Sequence, residues 1–382
     1  MKAEVAIIGA GASGRGFIAR LLQTDGAHIT FIDSSLSLVH HLNEAGGYTI
    51  YLGRERHPLL IDDYRAFHTE DLRAMEAISQ ADYVFVSVGE QNLRDLVPLL
   101  EGAMRRTQSC RIVVCENGIA PKMVLRKALS NAATERMLIT QGVIFCTSIP
   151  FGSIDILSED FGELPYDADE NLFLLPFPHF VAQKRFDVLL KRKIYTYNCL
   201  SACIAYVGYL KGYTDYAAAA NDAQISRLCA LLSRQLTRVI SDAYAIDYAQ
   251  QEAFAQRALN KFSNLAISDT IYKNARSVIR KLSVNERLIG PMNLFLQMGE
   301  DTRILCFITA CACAYLRKEE TASLRNEGFF KPIDVFLHLN WDMPGEQACW
   351  IVRDYQRILG DCPFPQVLDK MMANYLEPVK MT

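Results

Sequence analysis

Three glycines near the N-terminus sit at the spacing GxGxxG, in Gly9-Ala10-Gly11-Ala12-Ser13-Gly14. Glycines gather in turns for many reasons, so the flanks decide what this cluster can do. A β-branched run, Val5 to Ile8, precedes it, and Arg15 to Gln23 follows with apolar residues at helical spacing. A second apolar run, Ile29 to Ile32, ends at Asp33, 19 residues after Gly14. A strand, a glycine turn and a helix in that order make an anion cradle. Gly9 allows the tight turn, Gly11 lets backbone approach a pyrophosphate, and Gly14 lets helix and strand pack closely. The phosphates would lie at a helix N-terminus, where free N–H groups and the dipole favour negative charge. A carboxylate at Asp33 would accept hydrogen bonds from ribose hydroxyls and repel a 2′-phosphate, which favours NAD over NADP. The bland alternative is a glycine turn followed by a helix-capping aspartate. FAD can use the same fold, but no second flavin motif is present. Val88 and Gly89, at the end of the apolar run from Tyr83, either pass beneath the cofactor or make a simple turn.

The elements that must position these residues alternate. Helical signal runs from Ser35 to Ala45, Tyr48 to Leu52 and Pro58 to Ile61 read as a β excursion around Gly53, and further strands are expected at Tyr83 to Val88, Ile112 to Cys115 and Leu138 to Phe145. Strands alternating with helices imply an α/β fold, a doubly wound parallel Rossmann sheet. The acidic stretch from Phe151 to Glu170 is rich in Gly, Ser and Pro and reads as a loop or hairpin. From Lys193 to Tyr375 helix formers dominate, with helical periodicity at Ala217 to Ala220, Arg227 to Ser241, Gln251 to Phe262 and Arg287 to Met298. The expected layout is a Rossmann domain over 1–190 and a mainly α-helical, substrate-binding domain over 191–382, joined between Pro178 and Lys191.

Composition narrows the function. The 382 residues carry 40 basic and 43 acidic side chains, a formal net charge of -3, so no basic excess exists to neutralise a nucleic-acid backbone. The longest apolar stretch is shorter than the ~20 residues of a membrane span, and the N-terminus lacks signal-peptide anatomy. Eleven cysteines occur without CxxC pairs or zinc-ligand spacing; Cys311 and Cys313 lie in the apolar run from Ile304 to Leu316, where thiols act as small core hydrophobes. A soluble, cytoplasmic protein with reduced cysteines and no bound metal is expected. The histidines, His28, His40, His41, His57, His68, His179 and His338, show no local context for catalysis; His338 reads as packed or exposed on a late helix.

Four segments are more specific than the glycine fingerprint: Gly14-Arg15-Gly16-Phe17-Ile18, Cys115-Glu116-Asn117, the run from Lys191 to Asn198, and the run from Ile279 to Ile289. In order and approximate spacing they resemble the polyol-specific long-chain dehydrogenase family, in its mannitol-1-phosphate 5-dehydrogenase branch, over residues 1 to about 290. The resemblance implies NAD, no metal, a lysine as general base, and two asparagines holding the reacting oxygen. Position by position, Lys193 falls at the lysine, Asn198 at one asparagine and Asn117 at the other. Where the family has a histidine three residues beyond the asparagine, this chain has Ser201; the family's Val-Asp-Arg-Ile segment is replaced by Phe145-Cys146-Thr147-Ser148-Ile149.

Transfer of a hydride from a carbinol carbon needs a base for the hydroxyl proton and donors for the developing alkoxide. A lysine serves as base if burial lowers its pKa towards neutrality; Lys191 and Arg192 adjoin Lys193, but neighbouring side chains point apart, so burial is the expected cause. Asn117 and Asn198 can donate without titrating. Asn198 and Ser201 are three apart and share a helix face, whereas Lys193 lies five before Asn198, about 140° away on an ideal helix, so its side chain must curl back or the helix must begin near Ile194. Spacing alone favours an ordinary surface lysine in a basic cluster at Lys193; the resemblance reverses that preference. Arg276, Arg280, Lys281 and Arg287 form a cationic stretch that either grips a sugar phosphate or carboxylate or is a solvated face paired with Glu286; the resemblance points to Arg280 and Lys281 as substrate contacts. The leading expectation is an NAD-dependent dehydrogenase of a polyol, sugar phosphate or sugar acid, with its oligomeric state open. An NAD(H)-binding sensor or scaffold without turnover, and a reductase of the ketopantoate or hydroxyacid type, are the alternatives.

Overall fold

A strand covered on both faces has no room for alternating polar residues, and β1 (Glu4–Ile8) obeys this: Val5 and Ile7 enter one buried cluster, Ala6 and Ile8 another on the opposite face. The structure, a computed structural model, describes residues 2–107, 109–118, 120–266, 269–321, 325, 333 and 344–373. His338 and Tyr375 lie outside the described residues.

The chain divides into two compact units, Met1–Asp187 and Val188–Thr382. In the first, β1 is followed by a π-helical turn, Gly14–Ile18, helix α1 (Ala19–Thr24), and β2 (His28–Asp33), which pairs parallel with β1. Helix α2 (Leu36–Ala45) is capped by Ser35, whose hydroxyl accepts from the Leu38 N–H, and ends at Gly46 in the left-handed region. The expected β excursion is an antiparallel pair, β3 (Tyr48–Leu52) and β4 (His57–Ile61). Strand β5 (Tyr64–His68) then returns to the edge of β2. It had no sequence signal, because its residues only partly face the core and Ala66 alone is buried.

Helix α3 (Leu72–Gln80) leads to β6 (Tyr83–Val86), helix α4 (Val97–Met104) to β7 (Cys110–Val114), and helices α5 (Pro121–Ala128) and α6 (Asn131–Thr134) to β8 (Met137–Gln141). The resulting sheet has six parallel strands in the order β5-β2-β1-β6-β7-β8. Counting only these strands, this is the Rossmann order 3-2-1-4-5-6, with its ligand crevice at the carboxyl ends of β1 and β6 where the winding reverses. Strand β6 stops at Val86, short of the expected Val88, because Gly89 adopts φ +90 and the chain turns. Strand β8 stops at Gln141 rather than Phe145. The acidic stretch contains a hairpin, β9 (Ser148–Phe151) with β10 (Asp155–Ser158), which joins β3 in a four-stranded sheet, and β11 (Leu164–Asp167) pairs parallel with β12 (Phe180–Gln183).

The second unit is helical. Helix α7 (Phe186–Arg192) enters it and continues through a second π-helical turn, Lys193–Asn198, into α8 (Cys199–Leu210). Helices α9 (Tyr216–Ala220), α10 (Ala223–Tyr244) and α11 (Tyr248–Phe262) pack against α8. The segment Arg303–Glu319 is buried from Ile304 to Leu316, which places Cys306, Cys311 and Cys313 in the core. All eleven cysteines are free. Among the described residues no helix is long and apolar enough to cross a membrane, and no group of His, Cys, Asp or Glu could hold a metal ion.

Candidate active site

The glycine loop is built by three different constraints. Gly9 has φ +99, and a Cβ there would collide with the carbonyl oxygen of Ser87, the residue just beyond β6. A Cβ on Gly14 would strike the Gly9 carbonyl oxygen, so this glycine lets the helix start against the strand. Gly11 is different: a Cβ there would meet nothing within 4 Å. Its missing side chain is therefore not required by the protein's own packing; it keeps open the space beside the backbone. Ser13 makes no side-chain capping hydrogen bond to the turn that follows, and the Arg15 N–H donates to the Gly11 carbonyl at 3.0 Å, so the helix starts with its N-terminus at the glycine loop.

Asp33 closes the loop from the neighbouring strand. Its Oδ2 accepts from the Ala10 N–H at 2.7 Å and its Oδ1 from the Ser35 N–H at 2.8 Å. Each oxygen keeps a second lone pair for a ribose hydroxyl, and the carboxylate charge opposes a 2′-phosphate. An open glycine at a helix N-terminus and a half-buried carboxylate fit NAD.

Arg15, inside the segment Gly14 to Ile18, was not singled out by the sequence reading. It is buried: its Nε donates to the Ala10 carbonyl at 2.6 Å, its Nη1 to the Ile154 carbonyl, and its guanidinium lies over the Tyr48 ring. The arginine thus ties the glycine loop to the β9–β10 hairpin. Gly16 permits the same contact, since a Cβ there would strike Ile156.

Val88 and Gly89 form the turn after β6, and Glu116 fixes it. The Glu116 Oε1 accepts from the Val88 N–H at 2.6 Å and the Gly89 N–H at 2.8 Å. Burial raises the Glu116 carboxyl to about 7, and the charge of Glu90 adds to this, while the two backbone donors pull it down. Asn117, the next residue, is exposed on the loop that follows β7.

In the second unit the turn Lys193–Asn198 resolves the spacing problem posed by the sequence. Its backbone closes i→i−5 hydrogen bonds, as in the donation from the Cys199 N–H to the Ile194 carbonyl. A π-turn takes about 4.4 residues, so residues five apart lie roughly 50° apart around its axis, instead of about 140° as on an α-helix. Lys193 and Asn198 therefore share one face of the turn, and the helix need not begin at Ile194. Ser201 follows three residues later on α8, so Lys193, Asn198 and Ser201 form one stripe.

The turn is held from outside. The Gln251 Nε2 donates to the Thr196 hydroxyl at 2.9 Å, and the Gln251 Oε1 accepts from the Arg192 Nε at 2.9 Å. The Tyr197 ring meets Phe254 and Phe262 edge-on. Lys193 is buried, which lowers its pKa to about 7, with Lys261 and Arg287 adding like-charge repulsion. Burial is thus the main cause and the sequence neighbours Lys191 and Arg192 are not among the causes. Lys261, on α11, is a contributor that local spacing could not reveal.

The cationic stretch is mostly satisfied by the protein. Glu286 is buried and pairs with Arg280 and, at 3.0 Å, with the Arg287 Nε. Lys281 is buried, its ammonium donates to the Asn274 carbonyl at 2.6 Å, and its pKa falls to about 6 through burial and the charges of Arg287 and Arg280. The Ser201 hydroxyl accepts from the Tyr216 hydroxyl at 2.9 Å.

A parallel sheet of Rossmann order with its glycine loop, followed by a helical unit, is the layout of a nucleotide-dependent dehydrogenase acting on CH–OH groups, and the relatives show that class for this chain. Residues 3–149 match the mannitol dehydrogenase Rossmann domain and residues 187–327 the mannitol dehydrogenase C-terminal domain, so the chain belongs to the mannitol dehydrogenase family. It is 29% identical to the mannitol-1-phosphate 5-dehydrogenase of Clostridium acetobutylicum, over 82% of this chain and 86% of the relative. It is 30% identical to that of Bacillus velezensis over 74% and 81% of the two chains. Among solved structures, mannitol 2-dehydrogenase of Pseudomonas fluorescens in ternary complex with NAD and D-mannitol shares the fold, with TM-score 0.78 at 14% identity over 98% of this chain and 95% of that one. A ketopantoate reductase from Ralstonia eutropha overlays with TM-score 0.52 at 15% identity, covering 84% of this chain and all of its own.

Proposed function

We propose that this chain is an NAD-dependent dehydrogenase of a polyol or polyol phosphate, with Lys193 as general base and Asn198 and Asn117 as amide donors to the reacting oxygen. The observation that supports the proposal is the π-helical turn, in which Lys193, buried and with a pKa of about 7, shares a face with Asn198. A lysine poised near neutrality is half deprotonated at working pH, which suits it both to accept a hydroxyl proton and to return it. Bound NAD supplies the hydride acceptor, or NADH the donor. Gly9, Gly11, Gly14, Asp33, Val88 and Gly89 would hold that cofactor.

In oxidation, the neutral Lys193 amine takes the proton from the substrate hydroxyl as the carbon gives up hydride. Asn198 and Asn117 donate N–H bonds to the oxygen while it carries negative charge, and neither amide titrates. In reduction, the Lys193 ammonium protonates the oxygen of the incoming carbonyl compound.

A charged substrate is supported by the surroundings of Lys193. Lys261 and Arg287 raise the positive potential at Lys193; at buried Lys281, Arg287 and Arg280 do the same, opposed by Glu286 and Glu320. This surplus suits a phosphate or carboxylate, in line with the name shared by the relatives at 29% and 30% identity. Arg280, half exposed beside Glu286, is the proposed contact to that anion, and buried Lys281 supports it electrostatically.

The test is turnover of NADH with a panel of ketoses, ketose phosphates and ketonates, repeated with Lys193→Ala. The expected result is activity on at least one ketose phosphate, lost by about 10²–10⁴-fold in the variant without loss of NADH affinity. NADH binding with no turnover on any member would instead favour a sensor.

A further inference from the structure

Ser201 stands in the stripe after Lys193 and Asn198, yet a lone serine hydroxyl is a weakly oriented group. It rotates about two bonds and both donates and accepts. In this chain it is not alone. Tyr216, the first residue of α9, is buried and its hydroxyl donates to the Ser201 Oγ at 2.9 Å.

The mount of Tyr216 is rigid. Its ring meets Phe262 at 90° with centroids 5.8 Å apart, its N–H donates to the Asp269 carbonyl at 2.9 Å, and α9 is capped by the Asp215 carboxylate accepting from the Ala218 N–H at 2.7 Å. Once the Tyr216 proton occupies one lone pair of the Ser201 oxygen, the serine's own hydrogen must point elsewhere. Ser201 is half buried, and its only hydrogen-bond partner among the described residues is Tyr216.

We infer that Tyr216 is a positioning residue that turns Ser201 into an oriented donor for a substrate oxygen, forming with it a two-hydroxyl chain. This rests on the dehydrogenase reading above. The chain runs Tyr216 O–H to Ser201 Oγ, then Ser201 O–H to the substrate, and each bond polarises the next. Burial holds the phenol well above its ordinary range, so Tyr216 keeps its proton throughout the working pH. A neutral pair of this kind donates without titrating, unlike an imidazole, which changes charge near pH 6.5. The candidate site then has one group that titrates near neutrality on this stripe, Lys193.

The substrate class follows from the chemistry of the pair. It suits a molecule with a hydroxyl or carbonyl oxygen beside the reacting one, as in a polyol, and offers nothing to an apolar alcohol.

The experiment compares Tyr216→Phe, Ser201→Ala, the double variant and Lys193→Ala on the best substrate of the panel, with melting temperatures. Tyr216→Phe keeps the ring and its packing and deletes one oxygen. Expected is a roughly tenfold fall in kcat/KM for each single variant, with the double variant no worse than about threefold below either. The melting temperature and the pH midpoint of the profile should not move in Tyr216→Phe. Wild-type kinetics in Tyr216→Phe, or losses that multiply in the double variant, overturn the inference while a dead Lys193→Ala leaves the dehydrogenase reading standing. No turnover by the wild-type chain on any substrate overturns both.

Discussion

In the proposed dehydrogenase, the glycine loop of the first unit and the π-helical turn of the second present polar groups to a ligand by opposite means. The loop acts through backbone. Gly9 and Gly14 are glycines because their Cβ atoms would strike Ser87 and Gly9, and Asp33 and Arg15 tie the loop to neighbouring elements. The turn acts through side chains. Its residues Lys193 and Asn198 are ordinary in type, and what matters is a helical register that brings them to one face. A backbone device leaves its signature in residue identity; a register device leaves none, because tertiary contacts set it.

Substitutions in the loop should break it in two separable ways. Gly9→Ala forces a Cβ onto φ +99 and against Ser87, costing at least about 1–3 kcal/mol in backbone strain before any clash. Thermal unfolding should show a clear drop in melting temperature. Gly11→Val projects into open space, so the melting temperature should hold while NADH affinity, measured by fluorescence titration, falls about tenfold or more. Equal effects at the two positions would remove the distinction between packing and ligand glycines.

The Val88–Gly89 turn sharpens the comparison with a smaller effect. Glu116→Ala leaves two N–H groups without their acceptor and should weaken NADH about three- to tenfold. Glu116→Gln keeps a carbonyl acceptor and should bind NADH like the wild-type chain. A smaller change is expected at Lys261. Lys261→Met removes a like charge from the surroundings of Lys193, raises the lysine's pKa, and should move the pH midpoint of oxidation upward by less than about one unit. A downward shift would mean that Lys261 acts otherwise than by repulsion.

The same contrast explains what the sequence made legible. The parallel sheet, the strand before the glycines and the acidic residue ending β2 are set by local pattern and were readable from it. Strand β5 was not, since Ala66 is its one buried residue and a pattern of period two needs more than one point. Arg15 and Glu116 were quoted within motifs, but their partners are remote: Arg15 reaches Ile154, and Glu116 reaches back to Val88 and Gly89. The register of the turn was not legible in the sequence, because Gln251, Phe254 and Phe262, which hold it, lie more than fifty residues away in the chain. Burial as the cause of a near-neutral Lys193 was foreseeable from chemistry, whereas the contribution of Lys261 needed the packing of α11.

The central claim is that the group whose proton state controls turnover is the amine of Lys193. The pH dependence of kcat/KM for substrate oxidation tests it most directly, measured in the wild-type chain and in the residual activity of Lys193→Ala. The neutral amine is the reactive form, so the wild-type rate should rise with pH through a midpoint near 7, set by the lowered pKa of this lysine. In Lys193→Ala that limb should be absent. A limb with the same midpoint in the variant would assign the titration to another group and contradict the account.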